Sequence, residues 1–154
     1  MDPKVAQVYG DRVRVRACGL CWNDARLLMV NHSSITPTNF WAPPGGGIEF
    51  GLSVGETLQK EFREETGLIV TPGEFMFGCE FIHQPIHAIE LFYAVTVNSG
   101  ALRTGRDPEL QIIQEVRFLS VEEIQKIPLS ELHGIFKWID SPAGLKDLRG
   151  FFRI

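Results

Sequence analysis

The stretch GGGIEFGLSVGETLQKEFREETGL occupies residues 45–68 and decides how the rest of the chain is read. Its glycines, Gly45, Gly46 and Gly47, allow close backbone approach to a ligand. Taken alone they mark only a turn. Ser53 is a good helix N-cap, and Glu56, three residues on, completes a capping box. Gly67 is free to adopt the left-handed conformation that closes a helix. The stretch therefore predicts a glycine loop followed by a helix between Ser53 and Gly67.

On a wheel of 100° per residue with Val54 at 0°, Leu58 falls at about 40°, Phe62 at about 80° and Leu68 at about −40°. That arc is the stripe facing the core. Glu61 falls at about −20° and Glu65 at about 20°, inside the same stripe, with Glu64 at its edge. Glu56, Gln59, Lys60 and Arg63 form the outward face. Unpaired buried carboxylates cost several kcal/mol each, and two of them one turn apart repel. Three arrangements relieve this, the plainest being a groove open to water. A hard divalent cation, Mg²⁺ or Mn²⁺, would accept oxygen ligands of this kind. Ion pairs to Arg14, Arg16 or Arg103 would also serve.

Working outward, residues 11–22 alternate Arg12, Arg14 and Arg16 against Val13, Val15 and Ala17, which is strand period. Residues 27–30 read as the return strand of a hairpin turned at Asn23-Asp24. Residues 31–39 read as a loop and 40–42 as a short strand before Pro43-Pro44. After the helix, residues 74–83 and 87–97 read as strands joined around Gln84-Pro85. Residues 99–110 carry turn signals, and 115–119 read as a further strand. Ser120 caps a short helix, and 131–139 read as the last helix. Strands, helix, strands, helices: the order predicts an α+β fold or a three-layer sandwich with a mixed sheet.

The chain has 154 residues, one domain over 1–154 by length. Its 44% hydrophobic and 22% charged composition excludes a disordered, collagen-like or coiled-coil chain. A net charge of −4 argues against nucleic acid as a partner. The apolar runs fall short of a membrane span. Residues 1–12 have no apolar core of a signal peptide, and the three cysteines, an odd number, fit a reducing compartment, the cytoplasm. Cys18 and Cys21 form a C-x-x-C, but strand positions i and i+3 face opposite ways, so they read as structural. His83 and His87 bracket a turn and read as surface residues. Phe40, Trp41, Trp22, Phe81, Tyr93 and Trp138 read as core or rim.

Residues 45–68 resemble the Nudix box, G-x5-E-x7-R-E-U-x-E-E-x-G-U with U apolar, the mark of the Nudix hydrolase (MutT-like) family. Gly46, Glu61, Phe62, Glu64, Glu65, Gly67 and Leu68 are in register. The flanking strands and Pro43-Pro44 also suit that family. Two positions depart: Leu52 stands where the box has its first Glu, and Lys60 where it has Arg. Lys60 keeps the charge but not the planar, bidentate contact.

The resemblance implies an α+β fold of the Nudix-type α/β/α sandwich with a central mixed sheet, and Mg²⁺-dependent (Mn²⁺ as substitute) hydrolysis of a phosphoanhydride in a nucleoside diphosphate linked to another group. It implies Glu61 and Glu65 as metal ligands, Glu64 as a ligand or its supporting partner, and the Gly45 carbonyl as a further ligand. The base that deprotonates water is a box glutamate, Glu61 or Glu64, or a glutamate of a downstream loop. Glu109 in RDPEL is preferred there over Glu115, while Glu80 and Glu90 read as solvent-facing strand residues. Arg14 and Arg16, on one face of their strand, are candidates to point toward the acidic helix and bind phosphate, beside Gly46 and Gly47. The substrate is either an NDP-sugar or ADP-ribose type, or a nucleoside triphosphate, with selectivity in loops 31–41 and 98–110. Many members are homodimers. Leu52 and Lys60 keep a second reading open: a weakened or inactive nucleotide-binding domain of the same fold. A calcium or zinc module is disfavoured, since no EF-hand loop or thiol–imidazole cluster is present.

Overall fold

Alternation along the second hairpin strand shows where the core sits. In β3 (Arg26–Asn31), Leu27 and Met29 join one buried cluster, and Leu28 and Val30 join another. A strand buried on both faces must lie between two layers. The computed structural model describes residues 3–32, 38–103, 106–107, 112–113 and 115–154.

The chain opens with α1 (Pro3–Tyr9), then β1 (Arg12–Leu20) and β2 (Trp22–Asn23), which turns through Asp24 at φ 55° into β3. Next come β4 (Trp41–Ala42), β5 (Gly45–Gly47) and α2 (Val54–Thr66). Strands β6 (Leu68–His83) and β7 (Ile86–Gly100) form the long hairpin. They are followed by β8 (Arg106–Asp107), β9 (Ile112–Ile113), β10 (Glu115–Ser120) and α3 (Val121–Gln125). Three 3₁₀ turns and β11 (Gly150–Arg153) complete the described elements.

The main sheet has the order β11-β6-β7-β1-β5. It is mixed: β1 runs parallel to β7 and β11 to β6, while β6–β7 and β1–β5 are antiparallel. A second sheet, β10-β3-β2, also carries β4 on β3. Ala17 of β1 packs with Leu58 and Phe62 of α2. Cys18 and Leu20, on the other face of β1, pack with Ile124, Ile135, Phe136 and Leu145. The mixed α/β fold with a central mixed sheet is therefore as expected. No helix among the described residues is long and apolar enough to cross a membrane.

Helix α2 forms as its local signals require. Ser53 Oγ accepts from the Glu56 N–H, and the Ser53 N–H donates to Glu56 Oε1, each at 3.0 Å. A cap of this kind is worth about 1 kcal/mol. Gly67 takes φ 78°, and its N–H returns to Arg63 O. The same capping box recurs at Ser120 and Glu123 on α3.

Three expectations fail. The glycine loop is strand β5, Gly45–Gly47, because its backbone pairs antiparallel with β1. Residues 131–139 do not form a helix; 3₁₀ turns occupy Leu129–Glu131, Gly134–Trp138 and Pro142–Lys146. Gly134 weakens a helix centred there by about 1 kcal/mol. The buried side chains Leu132, Ile135, Phe136 and Leu145 are placed instead by packing on the sheet. Strand β6 also begins six residues earlier than the expected 74, directly after Gly67, and runs through Pro72 and Gly73. Register shifts between Ile69 and Phe77 absorb the missing proline donor, as β-bulges do.

Candidate active site

Three elements meet at one edge of the main sheet. Strand β5 is the edge strand, β1 is its neighbour, and α2 crosses above them. The register pairs Arg16 with Gly47, Ala17 with Gly46 and Cys18 with Gly45. Ala17 faces α2, so Gly46 does too. A Cβ on Gly46 would stand 2.3 Å from Glu61 Cδ and 2.5 and 2.6 Å from its two oxygens. The bare glycine backbone is what lets the Glu61 carboxylate lie on the strand.

Glu65 is anchored to the same strand. The Gly45 N–H donates to Glu65 Oε1 at 3.0 Å, and Glu65 is only 3% exposed. Glu61 and Glu64 are reached by Lys60, whose Nζ lies 3.9 Å from Glu61 Oε1 and 3.6 Å from Glu64 Oε1. Lys60 also pairs with Glu49 at 3.2 Å. Burial works against the Lys60 charge, but Glu49, Glu61 and Glu64 outweigh it and raise its pKa. Glu64 Oε2 is buried and has no hydrogen-bond partner within the described structure.

A buried carboxylate oxygen without a donor is costly, and a cation is the usual remedy. The donor set of Glu61, Glu64, Glu65 and the Gly45 carbonyl is all oxygen, which suits Mg²⁺ or Mn²⁺ and not a soft metal. Among the described residues these groups are gathered at the edge, and no three acidic, histidine or cysteine side chains form a ready-made metal cluster.

Arg14 and Arg16 do not point toward α2. They occupy the opposite face of β1, because side chains alternate across a strand and Ala17 faces the helix. Arg14 stacks over Tyr9, its Cζ 3.8 Å from the ring centroid, and its Nη2 lies 2.9 Å from where a Gly47 Cβ would be. Arg16 pairs with Glu90. Burial opposes the Arg16 charge, but the carboxylates of Glu90, Glu65 and Glu61 outweigh it and hold the guanidinium firmly ionised. Its field thus reaches the box carboxylates across the single edge strand. Arg103 is placed at the end of α2 instead, where its Nη2 donates to Arg63 O at 3.3 Å.

Glu90 is the main correction. It is not solvent-facing but 3% exposed, held by Arg16 and by His133, whose Nε2 lies 2.7 Å from Glu90 Oε1. Burial opposes its ionisation, but His133 and Arg16 keep the carboxyl well below the usual range. The signal was in the sequence. Ala88, Glu90 and Phe92 share one strand face, and its neighbours in that stripe are apolar. His133 and Glu49, which also serve this edge, stand out by no motif. Glu115 is a surface residue paired with Arg117 at 3.8 Å. Glu109 lies outside the described residues. Cys18 and Cys21 are both reduced and fall in different core clusters, as strand geometry requires.

The family model of the NUDIX domain matches residues 11–139. The chain belongs to the Nudix family. Among Nudix relatives, an ADP-ribose pyrophosphatase of Methanocaldococcus jannaschii is 25% identical over 111 residues, covering 71% of this chain and 63% of that protein. An uncharacterized Nudix hydrolase of Bacillus subtilis, YvcI, is 29% identical over 121 residues, 76% and 72% of the two chains. YjhB of the same bacterium is 29% identical over 92 residues, 56% of this chain but 43% of its own length. The alignments thus span less than two thirds of two of these relatives. A solved MutT Nudix hydrolase from Burkholderia pseudomallei shares the fold at TM-score 0.68 and 18% identity, covering 88% and 98% of the chains.

Proposed function

We propose that this chain is a Nudix pyrophosphohydrolase that cleaves a phosphoanhydride in a nucleoside diphosphate linked to a second group. The observation that carries the reading is the orphan Glu64 oxygen, buried beside two further box carboxylates fixed on an edge strand of glycines. Glu61 and Glu65, with Glu64 and the Gly45 carbonyl, are the residues that would hold Mg²⁺, or Mn²⁺ in its place. A bound cation supplies charge neutralisation to the phosphate oxygens and lowers the pKa of an attacking water.

The chain's own groups do the rest. Gly46 and Gly47 leave room for phosphate against the backbone. Arg14 and Arg16 supply guanidinium donors at the rim. A carboxylate, Glu61, Glu64 or Glu109, takes the proton from water as its oxygen bonds to phosphorus and the bridging P–O bond breaks. The named activity of the Methanocaldococcus jannaschii relative supports an ADP-ribose or NDP-sugar substrate ahead of a nucleoside triphosphate.

Leu52 favours a second reading, a nucleotide-binding domain without turnover. The test is a panel of ADP-ribose, NDP-sugars, dinucleoside polyphosphates and normal and oxidised triphosphates, with and without Mg²⁺. Products are separated by chromatography, with Glu61→Gln and Glu65→Gln alongside. Mg²⁺-dependent cleavage of one class, lowered by about a hundredfold or more in both variants, supports the enzyme. Nucleotide binding with no turnover of any compound replaces it with the second reading.

A further inference from the structure

A buried chain of polar groups ends at Arg16. The Ile135 N–H donates to His133 Nδ1 at 3.2 Å, so that nitrogen carries no proton. His133 Nε2 therefore carries it and donates to Glu90 Oε1. Glu90 Oε2 accepts from Arg16 Nη1. The thiols of Cys18 and Cys79 approach the same carboxylate, at 3.5 and 3.8 Å. Every member but Arg16 is buried, and the Arg16 side chain keeps 24% of its surface open.

Stability alone does not explain this network. A buried ion pair is often no better than apolar side chains of the same volume. Here it sits among Phe77, Phe92 and Leu132, which could readily have been joined by others. What the network does achieve is orientation. A carboxylate on one edge of a guanidinium fixes its plane and leaves its other N–H groups for a second acceptor. The register makes this possible, since Arg16 pairs with Glu90 on one side and with Gly47 on the other. Arg14 packs at the same glycine. Arg14 and Arg16 thus bring their guanidinium groups to Gly47 on the side of the sheet opposite the box carboxylates.

We infer that Glu90 and His133 are positioning residues that aim Arg16 at a phosphate oxygen of the substrate, making Arg16 the anion clamp across the edge strand from the acidic box. This rests on the reading of the site as one for a diphosphate, but not on turnover. Glu90 and His133 act through Arg16, so their effect on binding vanishes when Arg16 is removed.

The test is calorimetric titration of the full chain with α,β-methylene-ADP and Mg²⁺, a diphosphate that cannot be cleaved at its bridge. Arg16→Ala and Glu90→Gln each weaken Kd about tenfold or more, as loss of a charge-assisted hydrogen bond does. In the Arg16→Ala background, Glu90→Gln changes Kd less than about twofold. A merely structural role predicts instead that the change in Kd follows the change in melting temperature across all the variants. His133→Gln, which keeps a donor, weakens Kd less than His133→Ala. If Glu90→Gln does not fold, the His133 pair run in both Arg16 backgrounds carries the same test. An unchanged Kd in Arg16→Ala, an equal Glu90 or His133 effect with and without Arg16, or no binding by the wild type overturns the clamp. Binding that obeys this cycle with no turnover across the substrate panel upholds the clamp and sinks the hydrolase reading alone.

Discussion

Glu49 Oε1 stands 3.2 Å from Lys60 Nζ, across the turn that carries Leu52. That turn is closed by the Leu52 N–H donating to Glu49 O at 3.0 Å. The carboxylate missing from position 52 is thus met by another, three residues earlier, reaching the same lysine. Glu49 is 59% exposed, so the pair adds less than about 1 kcal/mol to stability. Its consequence is geometric: it helps hold Lys60 where it touches Glu61 and Glu64.

Glu49→Gln should therefore lower kcat about three- to tenfold, while the melting temperature moves by only a degree or two. Adding Leu52→Glu to that variant should recover most of the loss, because a carboxylate again faces Lys60. Steady-state kinetics on the panel substrate decides the matter. A double variant as slow as Glu49→Gln alone would show that Glu49 does not stand in for position 52.

Gly46 and Gly47 are adjacent, and they should respond differently to alanine. At Gly46 the new Cβ meets the Glu61 carboxyl at 2.3–2.6 Å, so the carboxylate must leave the strand. At Gly47 it meets only the flexible end of Arg14, at 2.9 Å. Gly46→Ala should cut kcat by about a hundredfold, the scale of losing a positioned charge, with the fold intact. Gly47→Ala should act chiefly on KM. Equal losses of kcat in the two would mean that Glu61 is not the group displaced.

His32 sets a pH dependence of stability. Burial and the Arg16 cation push its pKa down to about 3, against about 6.5 in an unfolded chain. Between those values the unfolded state takes up a proton that the folded state refuses. Stability is full above about pH 6.5 and falls as the pH drops, by at most about 1.4 kcal/mol per pH unit. Glu90 has the opposite origin: its depressed pKa adds stability above about pH 4.3, lost only in stronger acid. Urea midpoints between pH 6.5 and 4.5 read this slope. His32→Gln should flatten that slope, and an unchanged slope would refute the assignment.

Helix α2 is locked to β1 by Phe62, which is fully buried. A Cβ on Gly19 would lie 2.5 Å from the Phe62 ring and 2.7 Å from Val95 Cγ2. Phe62→Ala should cost about 3–5 kcal/mol in chemical denaturation. Gly19→Ala should cost about 1–3 kcal/mol through overpacking. Because they share one contact, the pair should be markedly less than additive. Additive losses would place the Gly19 strain elsewhere.

The parts of this site that were legible in the chain are those governed by short-range geometry. Ser53 and Glu56 cap α2 because a hydroxyl and a carboxylate three residues apart each accept from the other's free backbone N–H. Glu61 and Glu65 share a face because a helix turns 100° per residue. Cys18 and Cys21 separate because a strand alternates. Each of these follows from covalent spacing, whatever the chain packs against. Residues 131–139 looked helical by composition and became 3₁₀ turns, since Ile135, Phe136 and Leu145 had a sheet to cover and Gly134 offered little resistance.

Glu90 marks the boundary. Its strand was readable, and so was the apolar stripe in which it sits. That it would be buried against Arg16, 74 residues away, depends on the parallel register of β1 on β7, and its partner His133 arrives from a 3₁₀ turn 43 residues further on. Likewise the sign of the strip beside Gly47 depends on which face of β1 the helix covers. The capped helix and its row of carboxylates were legible in the chain alone, because they are properties of one segment, whereas Gly45–Gly47 read as a loop and became a strand only by pairing with β1. Only the tertiary structure decided that Arg14 and Arg16 lie opposite that row, that Lys60 turns to Glu49, and that Glu90 and His133 stand behind Arg16. Those are pairings between distant segments, and alternation along a strand says which residues share a face, never what will cover it.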